Sequence, residues 1–351
     1  MGVGEVVDCE NRSLDKEEDI QKEQSRSKEE YEELNQVTAL LLNLDSNTGE
    51  SNENSAETKG STLEDLFDIL KCDRMLSSKQ EEVVIIPDGP LYKVPFPALR
   101  DPRTGKYLSE TKRIRLAPSL ATLKHFEDFP TDQTSDAKPL VIGNPLVGKV
   151  MMDGEECDIE RLPGAIDEAD KISLLLGVHP LLATQATKSA VLERLKQGVS
   201  VVHIAAHGSL TKGTILFATS LEVRATKVIP DEEDYMLTMA DVQQAKVRAQ
   251  LVVLSCCHSG RGEIRAEGVV GMCRAFLASG ARAVVASLWA IDDDATLDFM
   301  TSFYGNLKNG KSASTSLQLT MNEMSISSRY SKPKYWAPFF IMGDDITLKN
   351  I

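Results

Sequence analysis

Val201-Val202-His203-Ile204-Ala205-Ala206-His207-Gly208 and Leu251-Val252-Val253-Leu254-Ser255-Cys256-Cys257-His258-Ser259-Gly260 are the two stretches whose reading decides the fold. Each opens as a short apolar run rich in β-branched residues, the composition of a buried parallel strand. Each closes on polar residues and a glycine, which predicts a turn where the chain leaves the carboxyl edge of a sheet. In open α/β sheets ligands bind at that edge. If the two strands are neighbours, His207 and Cys257 leave it side by side, and a cysteine beside a histidine makes a nucleophile and a base.

Working outward, strand and helix patterns alternate. Residues 83–86, 114–116, 140–142, 178–182, 283–288 and 338–342 read as strands. Residues 119–126, 165–176, 238–245, 268–279, 294–307 and 312–324 read as helices, with a further one capped by Thr187. Val94-Pro95-Phe96-Pro97 is excluded from a central strand, because proline removes ladder donors. Such alternation predicts an α/β fold, a mostly parallel sheet with helices on both faces. Residues 231–234 read as an acidic loop, and the segment holding Arg224 and Lys227 as an exposed loop open to self-cleavage.

The chain has 351 residues and a net charge of −14, most of it within the first 60 residues. The remainder is mildly acidic and carries no basic stripe, so nucleic-acid binding has no electrostatic support. No signal peptide is recognisable and no apolar run is long enough for membrane insertion as a spanning helix. Six cysteines without framework spacing predict free thiols in a reducing compartment, the cytoplasm or the nucleus, with a cytoplasmic location expected. Residues 1–30 have the composition of a disordered segment. Tyr31, Leu34, Val37, Leu41 and Leu44 then recur at helical spacing, which predicts an amphipathic helix within 17–44, and 45–61 reads as a linker. The expected organisation is an acidic head over 1–61, a solvated tail or an arm for a regulatory partner. A folded domain over 62–345 follows, opening on a helix capped by Thr62. Its N-terminal part is 62–135 and its catalytic α/β part 136–345.

A thiol attacks as its thiolate, formed when a base or backbone N–H groups are aimed at it. Cys256 and Cys257 alternate along their strand and face opposite ways. The position at the turn favours Cys257 as nucleophile, while Cys256 suits the commoner role of a buried small hydrophobe. His207 is the matching base, and His203, inside the apolar run, suits a structural role. The N–H groups of Gly208 and Cys257 offer an oxyanion hole. A third strand end carries Asp292-Asp293-Asp294. Capping of the following helix accounts for Asp294, and Asp293 or Asp292 is the candidate to select a cationic substrate side chain. His203, His207, Cys256, Cys257 and His258 are zinc-ligand types, but adjacent strand residues do not converge on one ion, so no metal and no cofactor are expected.

Several landmarks occur in order: Ile86-Pro87-Asp88-Gly89-Pro90-Leu91, Val94-Pro95-Phe96-Pro97-Ala98-Leu99, Ala117-Pro118-Ser119-Leu120, His203 to Gly208, Leu254 to Gly260, the glycine-bounded stretch 268–280, Ser287-Leu288-Trp289 and Trp336-Ala337-Pro338-Phe339. Together they resemble the CHAT domain family of caspase- and separase-like cysteine peptidases (clan CD), from about residue 62 to Gly343. The resemblance implies a caspase-like three-layer sandwich and a thiol protease with a Cys-His dyad. The family's histidine falls on His207 and its nucleophile on Cys257, and by register from Trp289 the aspartate that reads an arginine in separases falls on Asp293. It therefore implies cleavage of a protein substrate after a basic residue. Related bacterial proteases act on pore-forming gasdermins in programmed cell death, so a gasdermin-like or other regulatory protein is the class of substrate implied. Cys256 stands where the family usually has alanine, His258 where an acidic residue is common, and the tetratricopeptide repeats of many members are missing from this sequence. The alternative is a catalytically silent scaffold or sensor module that acts through protein–protein binding.

Overall fold

The computed structural model describes residues 56–129, 137–209, 213–227, 229–257 and 266–348, with the backbone alone at 56–61, 209, 257 and 266–267. The head over 1–55, His258 and the expected turn at 259–262 lie outside the described residues. The chain divides into two compact units, up to Asp73 and from Arg74. The first holds helix α1 (Ala56–Ile69), on which Leu66 and Phe67 are buried. Thr62 lies inside this helix rather than capping it. The helix starts in what composition reads as linker, because Ala56, Glu57 and Lys59 are good helix formers in spite of their polar neighbours.

Among its described residues the second unit has twelve strands. They are β1 (Glu82–Ile85), β2 (Arg113–Leu116), β3 (Leu140–Pro145), β4 (Gly148–Met152), β5 (Glu155–Ile159), β6 (Leu181–Ala183), β7 (Val201–Ser209), β8 (Thr214–Leu216), β9 (Met236–Leu237), β10 (Leu251–Cys257), β11 (Ala283–Ser287) and β12 (Phe339–Gly343). The main sheet has the order β1-β2-β12-β11-β10-β7-β3-β6. From β11 to β6 every pairing is parallel. β12 is antiparallel to β11, and β2 and β1 follow the direction of β12. β3, β11 and β12 are buried along their whole length, as expected of strands covered on both faces.

The longer helices after α1 among the described residues are α2 (Leu120–Asp128), α3 (Pro163–Leu176), α4 (Lys188–Gln197), α5 (Met239–Ala245), α6 (Ala266–Ser279), α7 (Asp293–Lys308) and α8 (Ala313–Ser325), and α3 to α8 supply the cover. One layer is α3, α7 and α8: α3 lies on β3 and β7 and touches α7, which packs on α8. The other is α4, α5 and α6, with α5 against both of its neighbours and α6 on β11. The fold is thus the α/β three-layer arrangement with a mostly parallel sheet that the alternation predicts. Local caps fix the helix starts. Ser119, Thr187, Thr238 and Ser312 each accept a backbone N–H from the first turn of α2, α4, α5 and α8.

Several local expectations change. β7 does not turn at Gly208 but runs to Ser209 and pairs antiparallel with β8, which pairs in turn with β9. The hairpin β4–β5 has no counterpart in the sequence reading. It lays Val150, Met152 and Ile159 on Val147, Leu216, Tyr235 and Met236, so its apolar side covers the β8–β9 extension. Leu221–Thr226 is a helix capped by Ser220, not a loop. There Arg224 Nε donates to Thr219 Oγ1 at 2.8 Å, and Lys227 Nζ donates to the Asp231 and Asp234 carboxylates at 3.1 and 2.7 Å. The expected acidic loop is a one-turn helix, Glu232–Tyr235. No helix among the described residues is long and apolar enough to cross a membrane.

The seat of α3 depends on a glycine. A Cβ on Gly143 of β3 would lie 2.4 Å from the Ala169 Cβ and 2.6 Å from the Ala165 carbonyl oxygen. Gly143→Ala is expected to push α3 off the sheet and cost about 1–3 kcal/mol, the usual range for overpacking. Gly305→Ala on α7, where nothing lies within 4 Å, is the control. Thermal melts of the two variants check this, with a lowered midpoint expected for the first alone.

Candidate active site

The site is built on the pairing of β7 with β10. The two strands are parallel and in register from Val201↔Leu251 to His207↔Cys257. Strand alternation puts His203, His207 and positions 255 and 257 on one face, and Ala206 and Cys256 on the other. The structure therefore brings His207 and Cys257 together as direct neighbours at the carboxyl ends of adjacent strands.

His207 is 2% exposed. Its Nε2 lies 2.7 Å from the carbonyl oxygen of Glu160, in the segment that leads from β5 into α3. A carbonyl only accepts, so Nε2 carries the proton, and in the neutral ring Nδ1 is the acceptor. Among the described residues Nδ1 has no hydrogen-bond partner. Burial pushes the imidazole below its ordinary range, and the hydrogen bond and charge of Glu160 offset this in part. The ring is therefore neutral at pH 7, with Nδ1 as its basic nitrogen.

His203 sits on the same face but is fully enclosed. Its Nδ1 lies 3.1 Å from the Tyr304 hydroxyl of α7 and its Nε2 3.2 Å from Oε1 of Glu168 on α3. The second contact is close enough for an ion pair but not aligned as a hydrogen bond. Burial, and then the charge of Glu168, raise the Tyr304 hydroxyl well above the usual phenol range, so it stays a donor. This is the structural role expected of His203, and it links α3, β7 and α7 beneath the site.

Cys256 faces the opposite layer, in a small cleft with Gly208, Leu254, Met272 and Ala286. Burial, reinforced by the charge of Glu168, pushes its thiol to about 12. It is thus a protonated, unreactive group at neutral pH. Gly208 lines the same cleft from the end of β7.

The three aspartates separate. Asp292 is the N-cap of α7, its Oδ1 accepting from the Ala295 N–H at 3.1 Å. This corrects the expectation that Asp294 is the cap: Asp294 instead pairs with Arg329. Asp293 is the first residue of α7, exposed, and its carboxylate lies against Gly164 at the start of α3. Of the two candidates for meeting a cationic side chain, Asp292 is occupied as a cap and Asp293 is the one beside the segment that holds His207. Among the described residues no group of three or more His, Cys, Asp or Glu side chains gathers to hold a metal ion.

Two participants escape sequence reasoning. The Glu160 carbonyl is a main-chain group, so no residue type signals it. Gly164 is one of 22 glycines in the chain and sits in an ordinary helical pattern.

With this geometry in place, the class is defined: the chain belongs to the CHAT domain family, whose profile matches residues 60–344. Tetratricopeptide repeat protein 28 of Mus musculus is 30% identical over 306 residues, covering 78% of this chain and 12% of that protein. The protein of the same name from Homo sapiens is 29% identical over the same length, with the same coverage. The chain thus spans only a small part of the curated relatives it matches. Among solved structures, the Arg-specific cysteine proteinase gingipain R has a TM-score of 0.48 at 12% identity, covering 84% of this chain and 68% of that one. The Saccharomyces cerevisiae separase–securin complex has a TM-score of 0.48 at 13% identity, covering 82% and 17%.

The buried imidazole has a consequence for stability. Its folded-state pKa is lower than its unfolded one, so the unfolded chain binds more protons between the two values. The contribution of a neutral His207 is complete above about pH 6.5 and is lost as pH falls towards the folded-state value. Wild type is expected to lose more of its melting temperature between pH 7.5 and 5.5 than His207→Gln, whose amide still donates to Glu160. Equal losses in both would contradict the burial argument.

Proposed function

We propose that this protein is a cysteine endopeptidase that cleaves a protein substrate after a basic residue. The observation that carries the reading is the in-register pair His207↔Cys257, with His207 Nε2 committed to the Glu160 carbonyl. In this scheme the Cys257 thiol gives its proton to His207 Nδ1 and Sγ attacks the scissile carbonyl carbon. The oxyanion is held by the N–H groups of Gly208 and Cys257. Collapse breaks the C–N bond, and the proton on Nδ1 passes to the leaving amine. Water then attacks the thioester, gives a proton to Nδ1, and the proton returns to sulfur as the acid leaves. The two sulfurs of the Cys256-Cys257 pair have separate tasks: the raised thiol of Cys256 supports a packing role, and only Cys257 is asked to ionise.

Asp293 receives the basic side chain, a charge-assisted pairing suited to Lys or Arg. The reaction needs a free thiol, which suits a reducing compartment such as the cytoplasm. A regulatory protein, gasdermin-like or of another kind, is the proposed substrate, and the acidic head is the proposed docking arm for a regulatory partner. Neither cofactor nor metal enters the scheme.

Cys257→Ala is expected to lower cleavage of a Lys/Arg peptide library by at least about a thousandfold, as loss of a nucleophile does. Cys256→Ala should leave it within a few-fold. Equal loss in both variants overturns the assignment. Failure of the wild-type thiol to react with an arginyl chloromethyl ketone favours the catalytically silent scaffold instead.

A further inference from the structure

We propose that Gly164 is a specificity-determining residue of this site, because the missing side chain is what seats the Asp293 carboxylate. The inference rests on the reading of Asp293 as the group that meets a basic substrate side chain. A Cβ on Gly164 would lie 2.5 Å from Asp293 Oδ2, 2.6 Å from its Cγ and 2.7 Å from its Cβ. The aspartate side chain therefore occupies the space that a side chain on Gly164 would take, and any other residue there would displace it.

Backbone conformation does not call for glycine here. Gly164 is the second residue of α3 and is not among the positive-φ glycines. Alanine is the better helix former, so glycine here costs the helix some stability. What it supplies is space on the side facing α7. Its placement also suits a carboxylate. The first turns of α3 and α7 meet at Asp293, and both helix starts carry partial positive charge that favours an anion. Asp293 is thus fixed from two directions, by its own helix and by the bare start of another.

The same segment does a second task. Four residues before Gly164, the Glu160 carbonyl fixes the tautomer of His207. Residues 160–164 thereby tie the orientation of the base to the position of the carboxylate that selects the substrate. A displaced Asp293 changes which side chain is accepted, while the reactivity of the thiol stays as it was.

The test compares peptides with Arg or Gln before the scissile bond. In Gly164→Ala the preference for Arg, as a ratio of kcat/KM values, is expected to fall at least about tenfold, the size of a lost charged contact. Most of the loss should lie in KM, while Cys257 alkylation by iodoacetamide and the melting temperature hold steady. Asp293→Glu, which keeps the charge but has an extra methylene to place over Gly164, should lose the preference too. Gly164→Ala combined with Asp293→Asn should be no worse than Asp293→Asn alone, because the glycine acts only through the aspartate. An intact Arg preference in either Gly164→Ala or Asp293→Glu overturns the proposal, as does an additive double variant. A wild type that does not prefer Arg over Gln removes the basic-residue reading itself, and the role of Gly164 with it. Wild-type preference that survives Gly164→Ala removes the glycine's role alone.

Discussion

The site depends on one register. Seven successive pairs lock β7 to β10, and the last of them is His207 with Cys257. Side chains alternate along a strand, so a slip of one residue would carry Cys256 to the imidazole and turn Cys257 towards α6. The sheet resists such a slip because both of its faces are buried. Val202, Ile204, Val253 and Leu254 all lie in the core, and exchanging their faces would exchange their whole packing. The pairing of His207 with Cys257 at the strand ends is therefore held by apolar contacts well below it.

The histidine is aimed by a different device. Nothing on β7 sets the ring's tautomer. A carbonyl from the segment entering α3 does so, and α3 is held in turn by close approach at Gly143 and by the Glu168–His203–Tyr304 contacts under the sheet edge. Three groups buried this deeply are costly unless they satisfy one another. Their value to the fold is that they bind α3 and α7 to one strand. Those are the two helices whose starts frame the site, so a buried polar contact is converted into the spacing of Gly164 and Asp293 at the surface.

The sequence makes the central strands legible because their apolar runs are short, β-branched and bounded by polar residues. It also separates the two histidines, since His203 lies within an apolar run and His207 at its end. It is less informative wherever neighbours decide the outcome. The hairpin over 148–159 alternates too weakly to register as strands, and only packing on Tyr235 and Met236 gives it a face. Gly208 reads as a turn because glycine commonly marks one, yet β8 supplies a partner that extends the strand. The cap of α7 is displaced by two residues because three consecutive aspartates satisfy the same local rule. Only the surroundings of each, the Ala295 N–H at Asp292, the bare Gly164 beside Asp293 and Arg329 at Asp294, distinguish them.

Those three aspartates also show how a single charged run divides its work. A carboxylate that caps a helix gives its oxygens to backbone N–H groups, and one that pairs with an arginine gives them to a guanidinium. Asp293 lies against Gly164, next to the segment that orients His207. A site for a cation needs a fixed carboxylate whose position does not depend on the cation's arrival, since ordering it on binding would cost affinity. The space left at Gly164 is where the Asp293 side chain sits. The proposed acceptance of a basic residue thus follows from where space has been left as much as from where charge has been placed.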